Sequence, residues 1–148
     1  MTASRSAADM LPHRPPMRLV EEVADLVPGE SARGIRLARP DDWYFQGHFP
    51  DDPVVPAVVL IELLAQTGGV AAASDGDVRS PARRLRVAAL GPFKFPGGAR
   101  PHQILDARAR VVARLGGVIR IEGEVLADGA RVAVGSVTLA DVGGSGNA

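Results

Sequence analysis

The sequence predicts an α+β fold in which a curved antiparallel sheet of about six strands wraps around one long apolar helix. Two patterns indicate it. Residues 56–74 form an apolar run that is too long for a strand, and from residue 85 onward apolar and polar residues alternate with the period of two that is typical of half-buried strands. A sheet with one apolar face needs a covering layer, and the apolar helix supplies it, so both elements are expected in one core.

The length of the chain fits one domain. A chain of 148 residues buries only about two thirds of its unfolded surface, so association with another chain would stabilise the fold by burying more. We expect a single domain over residues 1–148, with a core at about 10–140 and flexible ends at 1–9 and 141–148.

The N-terminal part predicts two strands followed by a long loop. Residues 18–39 form two extended segments around a turn at Pro28-Gly29, although a helix over 18–26 is an alternative. The loop at 39–56 contains four prolines and four aspartates. Pro56 fits the first turn of the apolar helix, where its missing amide N–H is harmless.

The C-terminal part predicts the remaining strands. Odd positions are apolar from Leu105 to Ala113, and Gly116-Gly117 and Asp128-Gly129 provide tight turns between three antiparallel strands. Residues 85–95 precede them as a further strand.

Composition narrows the classes of function. Seventeen basic and seventeen acidic residues cancel, so we expect neither a nucleic-acid nor a membrane partner. The absence of cysteine excludes disulfides, thiolate nucleophiles and zinc-cysteine sites, and fits a cytoplasmic location. Neither a P-loop nor a G-x-S-x-G motif is present, which argues against nucleotide binding and serine hydrolysis.

Glu62 stands in an otherwise apolar helix and needs an explanation. An unpaired buried carboxylate costs several kcal/mol, so Glu62 should find a partner or take up a proton; a surface position or a pairing with one of the sixteen arginines is the structural alternative. His48, fourteen positions earlier, can exchange a proton near neutral pH. A neutral imidazole and a protonated carboxyl group suit the elimination of water from a substrate.

Three further groups bear on this chemistry. The amide of Ala57 is the first free donor at the positive end of the helix and could bind a thioester carbonyl. Gln66, one turn beyond Glu62, could orient its carboxyl group or cap a buried backbone group. His13 and His102 have no metal-binding spacing with His48, so we expect no metal site.

The stretch GHFPDDPVVPAVVLIELLAQ at 47–66 resembles the signature of the FabZ-type β-hydroxyacyl-acyl-carrier-protein dehydratases, G-H-F-P-x-x-P-x-x-P-G-V-L-x-x-E-x-x-A-Q. LPHRPPMRLVEEV at 11–23 resembles the segment that opens those enzymes. FKFP at 93–96, with the strands that follow, resembles their C-terminal half. The resemblance covers about residues 10–140.

This resemblance implies a hotdog fold and a homodimer with active sites between the subunits, either alone or as a hexamer built from three dimers. His48 would remove the α-proton, and Glu62 of the partner subunit would protonate the β-hydroxyl group. The amides of Ala57 and Phe49 would hold the thioester oxygen.

The implied reaction converts (3R)-3-hydroxyacyl-ACP to trans-2-enoyl-ACP in fatty acid biosynthesis or a related polyene or polyketide pathway. The partner would be the acyl carrier protein, whose phosphopantetheine arm delivers the substrate. No metal or organic cofactor is implied. The arginine-rich run RSPARRLR at 79–86 is either a docking face for this acidic partner or a solvated charge run.

Two departures from the family pattern keep alternatives open. Ala57 replaces the usual glycine after the proline, which keeps the amide donor but adds a methyl group, and the loop GGARPHQ at 97–103 is one residue longer than usual. The alternatives are a hotdog thioesterase or CoA-linked hydratase, because His48 and Glu62 could also activate water, and a non-catalytic acyl-binding subunit that pairs with an active homologue.

Overall fold

The computed structural model describes residues 7–73 and 85–142. These residues form one α-helix, six strands and two short 3-10 turns, which confirms the α+β class. The helix is α1 (Ala57–Ala73), and the strands are β1 (Glu22–Val27), β2 (Ser31–Leu37), β3 (Leu85–Leu90), β4 (Ile104–Leu115), β5 (Val118–Ala127) and β6 (Ala130–Asp141). The 3-10 turns are Ala7–Met10 and Trp43–Phe45.

The six strands form one antiparallel sheet in the order β1-β2-β4-β5-β6-β3. β1 and β2 are joined at Pro28-Gly29, where Gly29 has φ 78°. The turn there is as predicted, and the alternative helix over 18–26 is wrong because Glu22–Val27 pairs with β2 instead.

The two C-terminal hairpins also lie where the sequence predicts them. Gly116 in the first hairpin has φ 60°, and in the second both Asp128 and Gly129 have positive φ, at 47° and 86°. Positive φ at both central residues is typical of the two-residue hairpin turn, which matches the twist of the strands. The Asp128 carboxylate also accepts a hydrogen bond of 2.8 Å from the amide of Ile104, which ties this turn to the start of β4.

Helix α1 packs on the inner face of the sheet and forms the centre of the core. Leu63 and Leu64 are fully buried. Gly68 allows the closest approach: a Cβ there would lie 2.8 Å from the side chain of Ile121 on β5, which is too close for two carbon atoms. The fold therefore requires a small residue at this position.

Two element boundaries differ slightly from the predictions. Pro56 precedes the helix rather than occupying its first turn, and its carbonyl accepts hydrogen bonds from the amides of Val59 and Leu60. β3 ends at Leu90 instead of reaching residue 95, because Gly91 and Pro92 interrupt the strand. Near the N-terminus the described residues include the 3-10 turn Ala7–Met10, whose Ala8 is fully buried.

Among the described strands β3 is an edge strand, and its one neighbour there is β6. Two of its large apolar side chains are exposed to solvent, Val87 at 44% and Leu90 at 51%. An exposed apolar edge is a surface that proteins normally cover, because its free backbone groups can pair with another strand.

Within the described ranges, no helix is long and apolar enough to cross a membrane. Flexible ends were predicted at 1–9 and 141–148. Of these, residues 1–6 and 143–148 lie outside the described ranges. Most of the arginine-rich run, residues 79–84, also lies outside them, and Arg86 is exposed on β3.

Candidate active site

His48 lies in a tight loop that precedes α1. The loop closes on itself through the amide of Val54, which donates to the carbonyl of His48 at 3.0 Å, and through reciprocal 3.0 Å hydrogen bonds between the backbones of Phe49 and Asp52. The imidazole stacks on the Phe49 ring, with 4.2 Å between the ring centroids. The position of the His48 side chain is therefore defined by its own loop.

One hydrogen bond determines the tautomer of His48. Nδ1 lies 2.9 Å from the carbonyl oxygen of Val54. A carbonyl oxygen only accepts, so Nδ1 carries the proton and donates it. In the neutral ring Nε2 is then unprotonated, which is the state that a general base needs.

The 97–103 loop supports the His48 loop from outside. The amide of Val55 donates to the carbonyl of Ala99 at 2.8 Å, and the Arg100 guanidinium forms an ion pair with the carboxylate of Asp52. The loop that departs from the family pattern in length thus holds the segment that carries His48.

A buried charge cluster, formed by Arg36, Asp42 and Tyr44, anchors the chain that leads into the same loop. Arg36 forms an ion pair of 2.7 Å with Asp42, and the Tyr44 hydroxyl donates to the same carboxylate at 2.7 Å. Burial and the hydrogen bond to Asp42 raise the pKa of Tyr44 to about 12. Burial alone would raise the pKa of Asp42, but hydrogen bonds from Tyr44 and from the Arg39 amide, together with the Arg36 charge, hold it below its usual value.

Glu62 lies in the second turn of α1, and 29% of its side chain is exposed. Its carboxyl group is therefore less buried in a single chain than the apolar sequence around it predicts. Among the described residues its partners are Gln66 and His13, and no arginine pairs with it.

Gln66 is 2% exposed and holds Glu62 from one helical turn away. Its Oε1 accepts from the amides of Leu19 and Val20 at 2.9 and 3.4 Å, and its Nε2 donates to the carbonyl of Met17 at 2.8 Å. These partners fix which end of the amide is nitrogen. The second Nε2 proton then goes to Oε2 of Glu62, at 2.8 Å, so this oxygen acts as an acceptor.

Both roles that the sequence allows for Gln66 therefore occur. Gln66 orients the carboxyl group of Glu62, and it also satisfies buried backbone groups of the segment that leads into β1.

His13 is a contact of Glu62 that sequence reasoning missed. Its Nε2 lies 3.6 Å from Oε2 of Glu62. The sequence showed His13 only as one of three scattered histidines, and the available signal was its place in the LPHR segment that resembles the start of the family. Spacing along the chain could not reveal this contact, because 49 positions separate the two residues.

The two predicted amide donors differ in availability. The Phe49 N–H already donates to the carbonyl of Asp52, so in this conformation it is not free to bind a thioester. Ala57 is the first residue of α1 and is exposed, and the first amides of a helix have no acceptor within the helix.

A cavity of about 270 Å³ extends from Glu62 along α1. His13, Glu62 and Gln66 line one part of it. The rest is mainly apolar and runs between α1 and the edge strand, lined by Ala65, Gly69, Val70, Ala73, Leu85, Val87 and Leu139. His48 is not among the residues that line this cavity, so the structure of one chain brings Glu62, Gln66 and His13 together but leaves His48 apart from them.

No group of three or more His, Asp or Glu side chains suited to a metal ion occurs in residues 7–73 and 85–142. The side chains around Glu62 are the amide of Gln66, which donates a hydrogen bond to the carboxyl group, and the imidazole of His13, which lies 3.6 Å from it.

Comparison with known proteins identifies the family. A family model described as a FabA-like domain matches residues 11–136. The 3-hydroxyacyl-[acyl-carrier-protein] dehydratase FabZ of Ruminiclostridium cellulolyticum is 31% identical over 141 residues, covering 95% of this chain and 97% of the relative. The FabZ of Campylobacter lari is 35% identical over 126 residues, covering 84% and 86%. The chain belongs to the FabZ-type dehydratase family.

Solved structures confirm the hotdog fold of this FabZ-type chain. The dehydratase heterocomplex ApeI:P from Xenorhabdus doucetiae superposes with a TM-score of 0.79 at 17% identity, covering 94% of this chain and 92% of the other. A hypothetical thioesterase with coenzyme A from Streptococcus pneumoniae has a TM-score of 0.61 at 10% identity, covering 82% and 85%. Because a dehydratase heterocomplex and a hypothetical thioesterase share this fold, the fold alone does not determine the reaction.

Proposed function

We propose that this FabZ-type chain is a hydro-lyase that converts (3R)-3-hydroxyacyl-ACP to trans-2-enoyl-ACP in fatty acid biosynthesis or a related polyene or polyketide pathway. The observation that carries the proposal is the hydrogen bond from Nδ1 of His48 to the carbonyl of Val54, at 2.9 Å. It leaves Nε2 as a free base on a rigid loop directly before α1. A base in this state is what removal of an α-proton requires.

In the first half of the proposed reaction, Nε2 of His48 removes the α-proton of the thioester. Negative charge develops on the thioester oxygen, and the amide of Ala57, at the positive end of α1, stabilises it. The family glycine is replaced here by alanine, but the donor in this role is the backbone N–H, which both residues have.

In the second half the carboxyl group of Glu62 donates its proton to the β-hydroxyl group. The bond between the β-carbon and oxygen breaks, the electrons of the former α-C–H bond form the double bond, and water leaves. Afterwards His48 holds the extra proton and Glu62 is a carboxylate. A proton transfer through water restores both groups for the next turnover.

The two catalytic groups come from different chains of a homodimer in this proposal. His48 does not line the cavity around Glu62, so a second copy has to bring its own His48 to that cavity. The exposed apolar edge of β3, with Val87 and Leu90, is the surface we assign to this second copy. Phe49 and Val58, which are 51% and 71% exposed beside the site, would be covered in the same step.

The substrate is carried by the phosphopantetheine arm of acyl carrier protein, so the enzyme needs no metal or organic cofactor of its own. The apolar part of the cavity beyond Glu62 suits an acyl chain, because its lining is aliphatic along α1 and β3. We place the reaction in the cytoplasm, as the absence of cysteine predicts.

One assay tests this function against its alternatives. The protein is incubated with short, medium and long (3R)-3-hydroxyacyl-ACP thioesters, and enoyl absorbance and free thiol are followed together. Enoyl product without free thiol is the expected result. Free thiol alone would indicate a thioesterase, turnover only with CoA thioesters a CoA-linked hydratase, and no turnover at any length a non-catalytic acyl-binding subunit.

A further inference from the structure

The strongest feature that the proposed mechanism leaves unused is the contact between His13 and Glu62. His13 lies in the segment between the first 3-10 turn and β1, and its imidazole faces Oε2 of Glu62 at 3.6 Å. Both side chains are partly buried, with 27% of His13 and 29% of Glu62 exposed. At this depth solvent competes only partly with the contact.

The backbone on both sides of His13 is held in place by the next residue. Nη1 of Arg14 donates to the carbonyls of Leu11 at 2.9 Å and His13 at 2.8 Å, with a longer contact of 3.4 Å to Pro12. Leu11 is buried in the core. A guanidinium that bonds to its own segment in this way keeps the turn in one conformation, and so it holds the imidazole at the cavity.

The other nitrogen of the His13 ring has no hydrogen-bond partner in residues 7–73 and 85–142. Within the described residues, Nδ1 is buried and is the one side-chain nitrogen or oxygen in that condition. Leaving a buried polar atom unsatisfied is unfavourable, and such groups call for an explanation. An apolar side chain would avoid this cost, so the imidazole must serve through its other nitrogen, Nε2.

We propose that His13 is a positioning residue for Glu62, and that it acts with Gln66 to keep the acidic proton on Oε1. This inference rests on the proposed function. Gln66 donates to Oε2 from one side, and Nε2–H of His13 faces the same oxygen from another. Oε2 already accepts from Gln66 at 2.8 Å and has the His13 ring 3.6 Å away on another side, so the acidic proton belongs on Oε1, the oxygen left to meet the substrate.

The unsatisfied Nδ1 fits this assignment. When Nε2 carries the proton of a neutral imidazole, Nδ1 is a bare acceptor, and no donor among the described residues reaches it. Arg86 also lines the cavity, and it is the other basic side chain there besides His13.

A matched pair of variants tests the role. His13→Gln keeps an N–H donor close to the position of Nε2, whereas His13→Leu has nearly the same volume and no donor. We expect His13→Leu to lower kcat about 10- to 100-fold, because small misplacements of a catalytic group have effects of this size, with KM within about 2-fold of the parent. His13→Gln should recover kcat to within about 3-fold of the parent.

A second arm separates positioning from a merely structural role. In a Glu62→Asp background the carboxyl group is withdrawn from His13 by one methylene group. His13→Leu should there lower kcat by less than about 3-fold, because the two residues are coupled. Far-UV circular dichroism and thermal unfolding of every variant check folding, and His102→Asn, which changes an exposed histidine and suits its left-handed backbone, is the control expected to match the parent.

Several results would overturn the inference. They are a kcat of His13→Leu within about 2-fold of the parent, a His13→Gln variant as slow as His13→Leu, or an equally large loss in the Glu62→Asp background. If His13→Leu does not fold, His13→Ser replaces it, since its short hydroxyl cannot reach Glu62. A parent protein that turns over no substrate defeats the proposed function, and this inference with it, whereas an active parent with unaffected His13 variants defeats the inference alone.

Discussion

One helical turn apart on α1, Gln66 donates a hydrogen bond of 2.8 Å to Oε2 of Glu62. The donor is held by three backbone groups of residues 17–20, so the carboxyl group is tied to a segment far from it along the chain. Helix α1 and the N-terminal segment are therefore linked through the Gln66 side chain.

Mixed dimers test whether the active site is shared. His48→Ala and Glu62→Gln should each remove most activity while leaving the dimer intact, because each removes one catalytic group. When equal amounts of the two variants are unfolded and refolded together, half of the dimers are mixed and each mixed dimer has one complete site. Activity should therefore return to about a quarter of the parent value. No recovery, with exchange verified by native mass spectrometry, would place both groups of a site in one chain.

Replacing Gln66 should reduce stability and activity together. Gln66→Leu leaves the amide of Leu19 and the carbonyl of Met17 without their buried partner, and we expect the free energy of unfolding in urea to fall by at least about 2 kcal/mol. Since the donor to Glu62 is also lost, kcat should fall about 10-fold. Thr67→Val is the matched control: its hydroxyl donates to the Leu63 carbonyl of the same helix and not to Glu62, so kcat should stay unchanged. Equal kcat in Gln66→Leu and the parent would contradict the role of Gln66.

A charge on the edge strand should separate the subunits. Val87→Lys places an ammonium group on the apolar edge of β3, and burying it against a second copy would cost several kcal/mol. Size-exclusion chromatography with light scattering should then give the 15.4 kDa monomer, and activity should be lost with the dimer. Leu115→Lys introduces the same charge on a side chain that is 84% exposed at the β4–β5 turn, and it should change neither mass nor activity. A parent mass of three dimers would show the hexamer.

The buried charge cluster predicts how stability depends on pH. Because the pKa of Asp42 is held below its usual value in the folded state, its stabilising effect is present above the unfolded value of about 3.9 and is lost as the pH falls through the folded value. Asp42→Asn should therefore be less stable than the parent at neutral pH by about 3–5 kcal/mol, since Arg36 loses its buried partner.

The difference in the free energy of unfolding between the parent and Asp42→Asn should shrink as the pH falls below roughly 4, because the Asp42 carboxyl group then takes up a proton. Urea unfolding at a series of pH values measures it. At the alkaline end, the stabilising effect linked to the pKa of Tyr44, raised to about 12, is complete below about 10 and is lost as the pH rises through 12. A Tyr44→Phe variant should not show this alkaline loss.

Local patterns in the sequence were sufficient to predict most of the secondary structure of this protein. Period-two alternation and the glycine turns predict the strands, and the apolar run predicts α1, because these signals depend on residues that are close in the chain. The motif around His48 and Glu62 pointed to the family for the same reason. The end of β3 was missed because the predicted strand over residues 85–95 overlooked the break at Gly91-Pro92, beyond which Lys94 pairs with Val134 as an isolated bridge.

The tertiary structure decided what depends on residues far apart in the chain. It brought His13 and Gln66 to one oxygen of Glu62, used the Phe49 amide inside its own loop, and left His48 outside the cavity of its own chain. The sequence alone determined the family, the fold class and the identity of the acid and base candidates, since these reside in local order and residue type. The orientation of each group was settled only by folding, because hydrogen-bond partners are chosen by distance in space.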